Sequence, residues 1–159
     1  MQVKPFLLRA CAVLVFGLGI AGTAAADDNP KICKVTYINS SQQTAFGVSV
    51  ELLEGDRFLF DNYQVDQATI GSSYGPKNLR PGKTVTLELV GTQSCKMETT
   101  LTNGSDYHTS LVSATGSNHD KECGKTSTND FMKNYGCDCT GSGSNHDTEL
   151  TITCTGSSS

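Results

Sequence analysis

The chain reads as an all-β protein: an antiparallel β-sandwich stapled by disulfides, with a loop-rich C-terminal third. Three observations predict this. Apolar residues recur at every second position through several short segments. Gly, Pro, Asn and Asp gather between those segments, where chain reversals need them. Six cysteines follow an N-terminal leader, an even number that suits an oxidising compartment.

The leader comes first. Lys4 and Arg9 supply a positive start, and an uncharged apolar run follows from Ala10 to Ala21. A membrane-spanning helix needs about 20 apolar residues, so this run is too short to be one. It ends in Thr23-Ala24-Ala25-Ala26, the small-residue pattern that a signal peptidase cuts. Residues 1–26 are therefore expected to be a cleaved signal peptide. A lipid anchor on Cys11 is disfavoured, because that residue opens the apolar run instead of closing it. Residues 27–155 then form one sandwich domain, a normal size for a single core, and residues 156–159 a flexible tail. The expected location is periplasmic or secreted, with no membrane span in the mature chain.

The strands follow in order. Cys33, Val35 and Tyr37 alternate with polar neighbours, as do Phe46, Val48, Val50 and Leu52, then Phe58 and Phe60. Val85, Leu87 and Leu89 alternate with Thr84, Thr86 and Glu88. Further runs place Cys95, Met97, Thr99 and Leu101 on one face, then Tyr107, Thr109 and Leu111, and finally Leu150, Ile152 and Cys154. Glu54-Gly55-Asp56, Pro81-Gly82 and Asn103-Gly104 supply turns between them. Several short strands with such punctuation indicate a sandwich. The phrase Leu79-Arg80-Pro81-Gly82-Lys83 ahead of an alternating strand resembles one found in many immunoglobulin-like sandwich domains, which implies an immunoglobulin-like or related fold.

The cysteines Cys33, Cys95, Cys123, Cys137, Cys139 and Cys154 read as three disulfides. Cys33 and Cys95 are expected to join two distant strands, Cys139 to pair with Cys154, and Cys123 with Cys137. A metal or redox use of Cys137-Asp138-Cys139 is the alternative. Between Thr115 and Gly143 the chain is rich in Gly, Ser, Asn and Asp and poor in aliphatics, which predicts loops pinned by disulfides. One short helix is expected over Thr128–Tyr135, capped by Ser127 or Thr128 and stopped at Gly136.

Gly116-Ser117-Asn118-His119-Asp120 recurs as Gly143-Ser144-Asn145-His146-Asp147. The plain reading is one good turn sequence used twice, with Gly and Asn tolerating left-handed backbone. The sharper one is a zinc or copper site built from His119, Asp120, His146 and Asp147, with His108 as a further nitrogen. The spacing matches no established ligand motif.

Catalytic signatures are wanting: Gly141-Ser142-Gly143-Ser144 departs from the spacing of a nucleophile elbow. The whole chain carries a net charge of −4, and removing Lys4 and Arg9 makes the remainder more acidic. That balance argues against nucleic acid, which rewards clustered Lys and Arg. Asn39-Ser40-Ser41 and Asn103-Gly104-Ser105 match the glycosylation pattern. The chain is therefore expected to be a non-enzymatic binding or structural protein with a protein or glycan partner. The alternatives are metal binding through the repeated loops and self-assembly through an edge strand.

Overall fold

The computed structural model describes residues 29–61, 63–66, 69–144 and 146–156. The expected signal peptide lies outside the described residues. Eleven strands are present among them: β1 (Lys31–Asn39), β2 (Phe46–Glu54), β3 (Arg57–Phe60), β4 (Tyr63–Asp66), β5 (Ser73–Leu79), β6 (Thr84–Gly91), β7 (Ser94–Asn103), β8 (Asp106–Thr115), β9 (Asn118–Ser127), β10 (Cys137–Gly143) and β11 (Asp147–Cys154). One helix, α1 (Phe131–Asn134), joins β9 to β10. The first sheet has the order β10-β11-β1-β6-β3-β4 and the second β5-β2-β7-β8-β9. Neighbouring strands run antiparallel except β1 and β11, which run parallel. No helix among the described residues is long and apolar enough to cross a membrane.

The two sheets pack face to face as a disulfide-stapled sandwich. Period-two alternation gives each sheet one apolar face. Cys33, Val35, Tyr37, Leu87, Leu89, Phe58, Leu150 and Ile152 line the first; Val48, Val50, Leu52, Met97, Leu101, Val112 and Ala114 line the second. Burying a side chain of this size stabilises the fold by about 1.5–3 kcal/mol. Within this core the Tyr37 hydroxyl meets Thr99 Oγ1 at 2.7 Å, a polar tie between the sheets.

β8 departs from expectation in phase. Tyr107 is 38% exposed, while His108, Ser110, Val112 and Ala114 face inward. The cause is register: the turn at Gly104-Ser105 sets Asn103 opposite Asp106, hence Leu101 opposite His108 and Met97 opposite Val112. Cross-strand partners share a face, so an inward Leu101 brings His108 in. Gly104 makes this tight reversal with φ 59°.

The C-terminal third also differs. In place of loops it holds β9 and β10, edge strands of opposite sheets. Backbone pairing needs no aliphatic side chains, and here a disulfide ties the two edges together. The bridges are Cys33–Cys95, Cys123–Cys139 and Cys137–Cys154, so the second and third correct the expected pairing. Cys137 lies directly opposite Cys154 in the β10–β11 ladder, with Cα atoms 4.0 Å apart. Cys139, two residues on, faces the same side and reaches Cys123 on β9. All six sulfurs being bonded, Cys137-Asp138-Cys139 offers no thiolate pair to a metal.

Two smaller corrections follow. The helix starts at Phe131, with Asp130 as its cap; the expected stop at Gly136, φ 56°, is in place. Gly156 does not belong to a loose tail: it is buried and its N–H donates to the Tyr135 carbonyl at 3.0 Å. Asn39, in the first glycosylation pattern, is also buried, its amide donating to the carbonyls of Thr44 and Leu79.

Candidate functional site

The two copies of the repeated pentapeptide fold differently. In the first, Gly116 and Ser117 make the β8–β9 turn, and Asn118, His119 and Asp120 are already strand. In the second, Gly143 closes β10, His146 lies in the β10–β11 connection and Asp147 opens β11. His119 turns inward, with Nδ1 3.2 Å from Thr148 Oγ1 and Nε2 buried without a hydrogen-bond partner among the described residues. His146 Nδ1 accepts from the Lys31 ammonium at 3.4 Å. Lys31 is only 1% exposed. A cation on His146 would meet that ammonium at close range, where like charges repel strongly. Asp120 is exposed and sits opposite Ser113. His108 belongs to a different place, opposite Leu101 and Ser127. Among the described residues no three His, Cys, Asp or Glu side chains gather in a group able to hold a metal.

His108 instead anchors a site of its own. It sits on β8, 3% exposed, beside an irregularity where the β8–β9 register passes from Thr109–Thr126 to Leu111–Glu122. Extra residues on β9 therefore face Ser110, and the bulge turns the Cys123 carbonyl toward β8. That oxygen accepts from His108 Nε2 and, at 2.9 Å, from the Ser110 hydroxyl. Because a carbonyl only accepts, Nε2 carries the proton and Nδ1 is a bare lone pair. Nδ1 is buried and has no hydrogen-bond partner among the described residues. Burial pushes the imidazole pKa below its ordinary value, against the opposing pull of the Cys123 carbonyl, so the ring is neutral near pH 7.

The segment after β9 covers this ring. Phe131 is fully buried and stacks on His108, with centroids 6.1 Å apart and planes 25° from parallel. Tyr135 packs on Phe131 at 4.5 Å. To bring Phe131 in, the chain takes Asn129 and Asp130 through left-handed backbone, φ 47° and 49°. Consecutive non-glycine residues there are strained, and such strain persists only where surrounding contacts enforce it. Asn129 Nδ2 donates to Asp106 Oδ1 at 2.8 Å, and the Thr128 N–H donates to the Tyr107 carbonyl at 2.9 Å. The Asp130 carboxylate makes no capping hydrogen bond.

A cavity of about 330 Å³ opens here, lined by His108, Ser127, Asp130, Met132 and Lys133. These residues carry an imidazole, a hydroxyl, a carboxylate, a thioether and an ammonium. The sequence reading named His108 but attached it to the wrong partners, and it missed Asp130, Met132 and Lys133. The signal open to sequence was their place in the expected short helix: Asp130 and Met132 flank Phe131, and Lys133 follows.

No protein-family model matches the chain. No curated protein matches it either.

Proposed function

We propose that the chain is an exported, non-catalytic binding protein that takes its ligand in the cavity floored by His108. The observation that carries this reading is the pairing of a buried, unpartnered imidazole nitrogen with a strained segment, Asn129-Asp130, at one cavity. Strained backbone clusters at ligand clamps, and buried polar atoms are normally satisfied, so both point to an occupant. Three intramolecular disulfides fit an oxidising compartment.

Self-assembly through edge strands finds less support. β5 is interrupted by Pro76 and by a register shift opposite Val48 and Val50, and both blunt an edge. On β10 the Lys121 side chain lies over Gly141 and Gly143.

The test is a nitrogen-15 NMR titration of the purified oxidised protein against a panel of small polar metabolites and simple ions. Shifts centred on His108, Met132 and Lys133 support the reading. Shifts confined to another surface, or none from any member, overturn it. Export is tested by sequencing the secreted product, expected to start at Asp27.

A further inference from the structure

We infer that the outer face of the second sheet carries a groove for a neutral sugar, a pyranose held over Gly47 between Asn78 and Thr102, with Tyr107 beside it on the same face. The groove shares no lining residue with the His108 cavity, so this site stands apart from the one proposed above.

Strand register builds the groove. Gly47 on β2 lies opposite Asn78 on β5 and opposite Thr102 on β7, and Thr102 lies opposite Tyr107 on β8. Cross-strand partners share a face. Phe46, Val48 and Leu101 turn into the core, so Asn78, Gly47, Thr102 and Tyr107 form one row on the face turned away from it. The row is hollow at Gly47, which has no side chain. A Cβ placed there would come within 2.5 Å of Thr102 Oγ1 and 3.4 Å of Pro76 Cβ, so the walls close in on bare backbone. The hollow measures about 300 Å³, at the lower end of the range for small-molecule sites. One end is fixed: Asn103 Nδ2 donates to the Ala45 carbonyl at 2.8 Å, and the Tyr135 hydroxyl donates to Asn103 Oδ1 at 3.2 Å. A hollow held in this way needs little ordering when a ligand enters.

The lining selects a class of ligand. Its one charged side chain, Lys77, is paired with the Asp61 carboxylate and lies over the Phe60 ring, so the groove is set for an uncharged molecule. What remains is an exposed proline ring, an amide and a hydroxyl. Thr102 Oγ1 donates its proton to the Gly47 carbonyl at 3.3 Å and keeps its lone pairs as acceptors, while the Asn78 amide both donates and accepts. A pyranose offers the complement: hydroxyls around its rim, and C–H patches on its faces that suit a proline or tyrosine ring. Tyr107, 38% exposed, stands one strand beyond Thr102, a spacing of about 4.8 Å that a pyranose with its hydroxyls spans. An extended peptide fits less well. It would add to a strand edge through backbone hydrogen bonds, and at Pro76 the edge strand β5 has no N–H to give.

The experiment titrates the oxidised protein with the methyl glycosides of glucose, galactose, mannose and N-acetylglucosamine, with glycerol as control, and reads amide, methyl and aromatic NMR resonances. The expected result is saturable one-to-one binding of at least one glycoside, with shifts at Gly47, the Asn78 side-chain amide and the Tyr107 ring. Asn78 is exposed, so Asn78→Ala should fold as the parent does. It should weaken binding about tenfold, the worth of one hydrogen bond. Gly47→Ala fills the hollow and should abolish binding while leaving the resonances of the first sheet in place; if that variant does not fold, Asn78→Ala decides. The inference is overturned if no glycoside binds, if glycerol at equal concentration gives the same shifts, or if Asn78→Ala binds as tightly as the parent. Shifts at His108, Met132 and Lys133 with none at Gly47 or Asn78 would also overturn it, and would support the His108 cavity instead. Shifts at Gly47 and Asn78 with none at His108 support the groove alone.

Discussion

Tyr37 carries one hydroxyl into a dry core and meets it with Thr99 Oγ1 of the opposite sheet. Burial dominates its chemistry, pushing the phenol pKa up to about 12 despite hydrogen bonds to Thr99 and Ser110 that pull the other way. An unfolded tyrosine loses its proton near pH 10. Between those values the unfolded state binds fewer protons than the folded one, so stability is complete below pH 10 and falls as pH rises toward 12. The loss should be on the order of 2–3 kcal/mol. Tyr37→Phe should cost about 1–2 kcal/mol at pH 7 through the lost hydrogen bond, and should flatten that alkaline decline. Urea unfolding at pH 7 and across pH 9–12 checks both; an unchanged alkaline slope would assign it to other groups. A second residue, Asp130, sits where its backbone is strained. Asp130→Gly should stabilise the fold by about 1 kcal/mol, since glycine enters left-handed backbone without penalty. A raised urea midpoint in Asp130→Gly checks this; an unchanged or lowered one would show that the left-handed backbone there carries no strain.

Among the elements, β9 is weakly anchored by packing: like β10 it is an edge strand, and its side chains are exposed or half-buried throughout. The Cys123–Cys139 bridge spans 16 residues of sequence, and closing a loop of that size is worth about 3 kcal/mol. Cys123→Ser with Cys139→Ser should lower stability by about that amount. Hydrogen exchange should rise first in β9 and at His108, whose orienting carbonyl belongs to Cys123. Uniform acceleration across both sheets would contradict this. The strands built on aliphatic alternation, β1, β2, β6, β7 and β11, were legible from sequence because burial imposes period two on them. The inward phase of β8 was not read: alternation in Tyr107, Thr109 and Leu111 suggested the opposite face, and the pairing of Asn103 with Asp106 across the Gly104-Ser105 turn reverses it. β9 and β10 were not legible, because their ladders and their disulfide hold them without an apolar stripe. One residue of the candidate site could be read: His108 stood out as one of three histidines. Asp130 and Met132 reach it only through the fold of the segment between β9 and β10, which no spacing rule describes.

Across the whole molecule, Cys33–Cys95 locks the first strand of one sheet to β7 of the other, 62 residues apart in sequence. A closed loop of that length is worth about 4 kcal/mol by the same entropy argument. The parallel pairing of β1 with β11 reaches further still, setting Ile32 beside Asp147 and Asn39 beside Cys154. β11 is an interior strand, flanked by β10 and β1. Ending the chain before Asp147 should leave β1 with one open side and Cys137 without its partner. Such a chain should fail to fold, which free-thiol labelling and loss of cooperative unfolding would reveal; a protected, cooperative core in the truncated chain would refute it.

That pairing also sets an order of events. A chain threaded across a membrane from its N-terminus delivers β1 first and β11 last, so the first strand out has no lasting partner on one side until the final strand arrives. Until then the segments already across remain open to chaperones and to wrong thiol pairings, and Cys33 can meet Cys95 well before Cys154 appears. On the proposed export route the fold is therefore closed only when β11 emerges, and the oxidising machinery of the receiving compartment would meet the chain while its choice of partners is still unsettled.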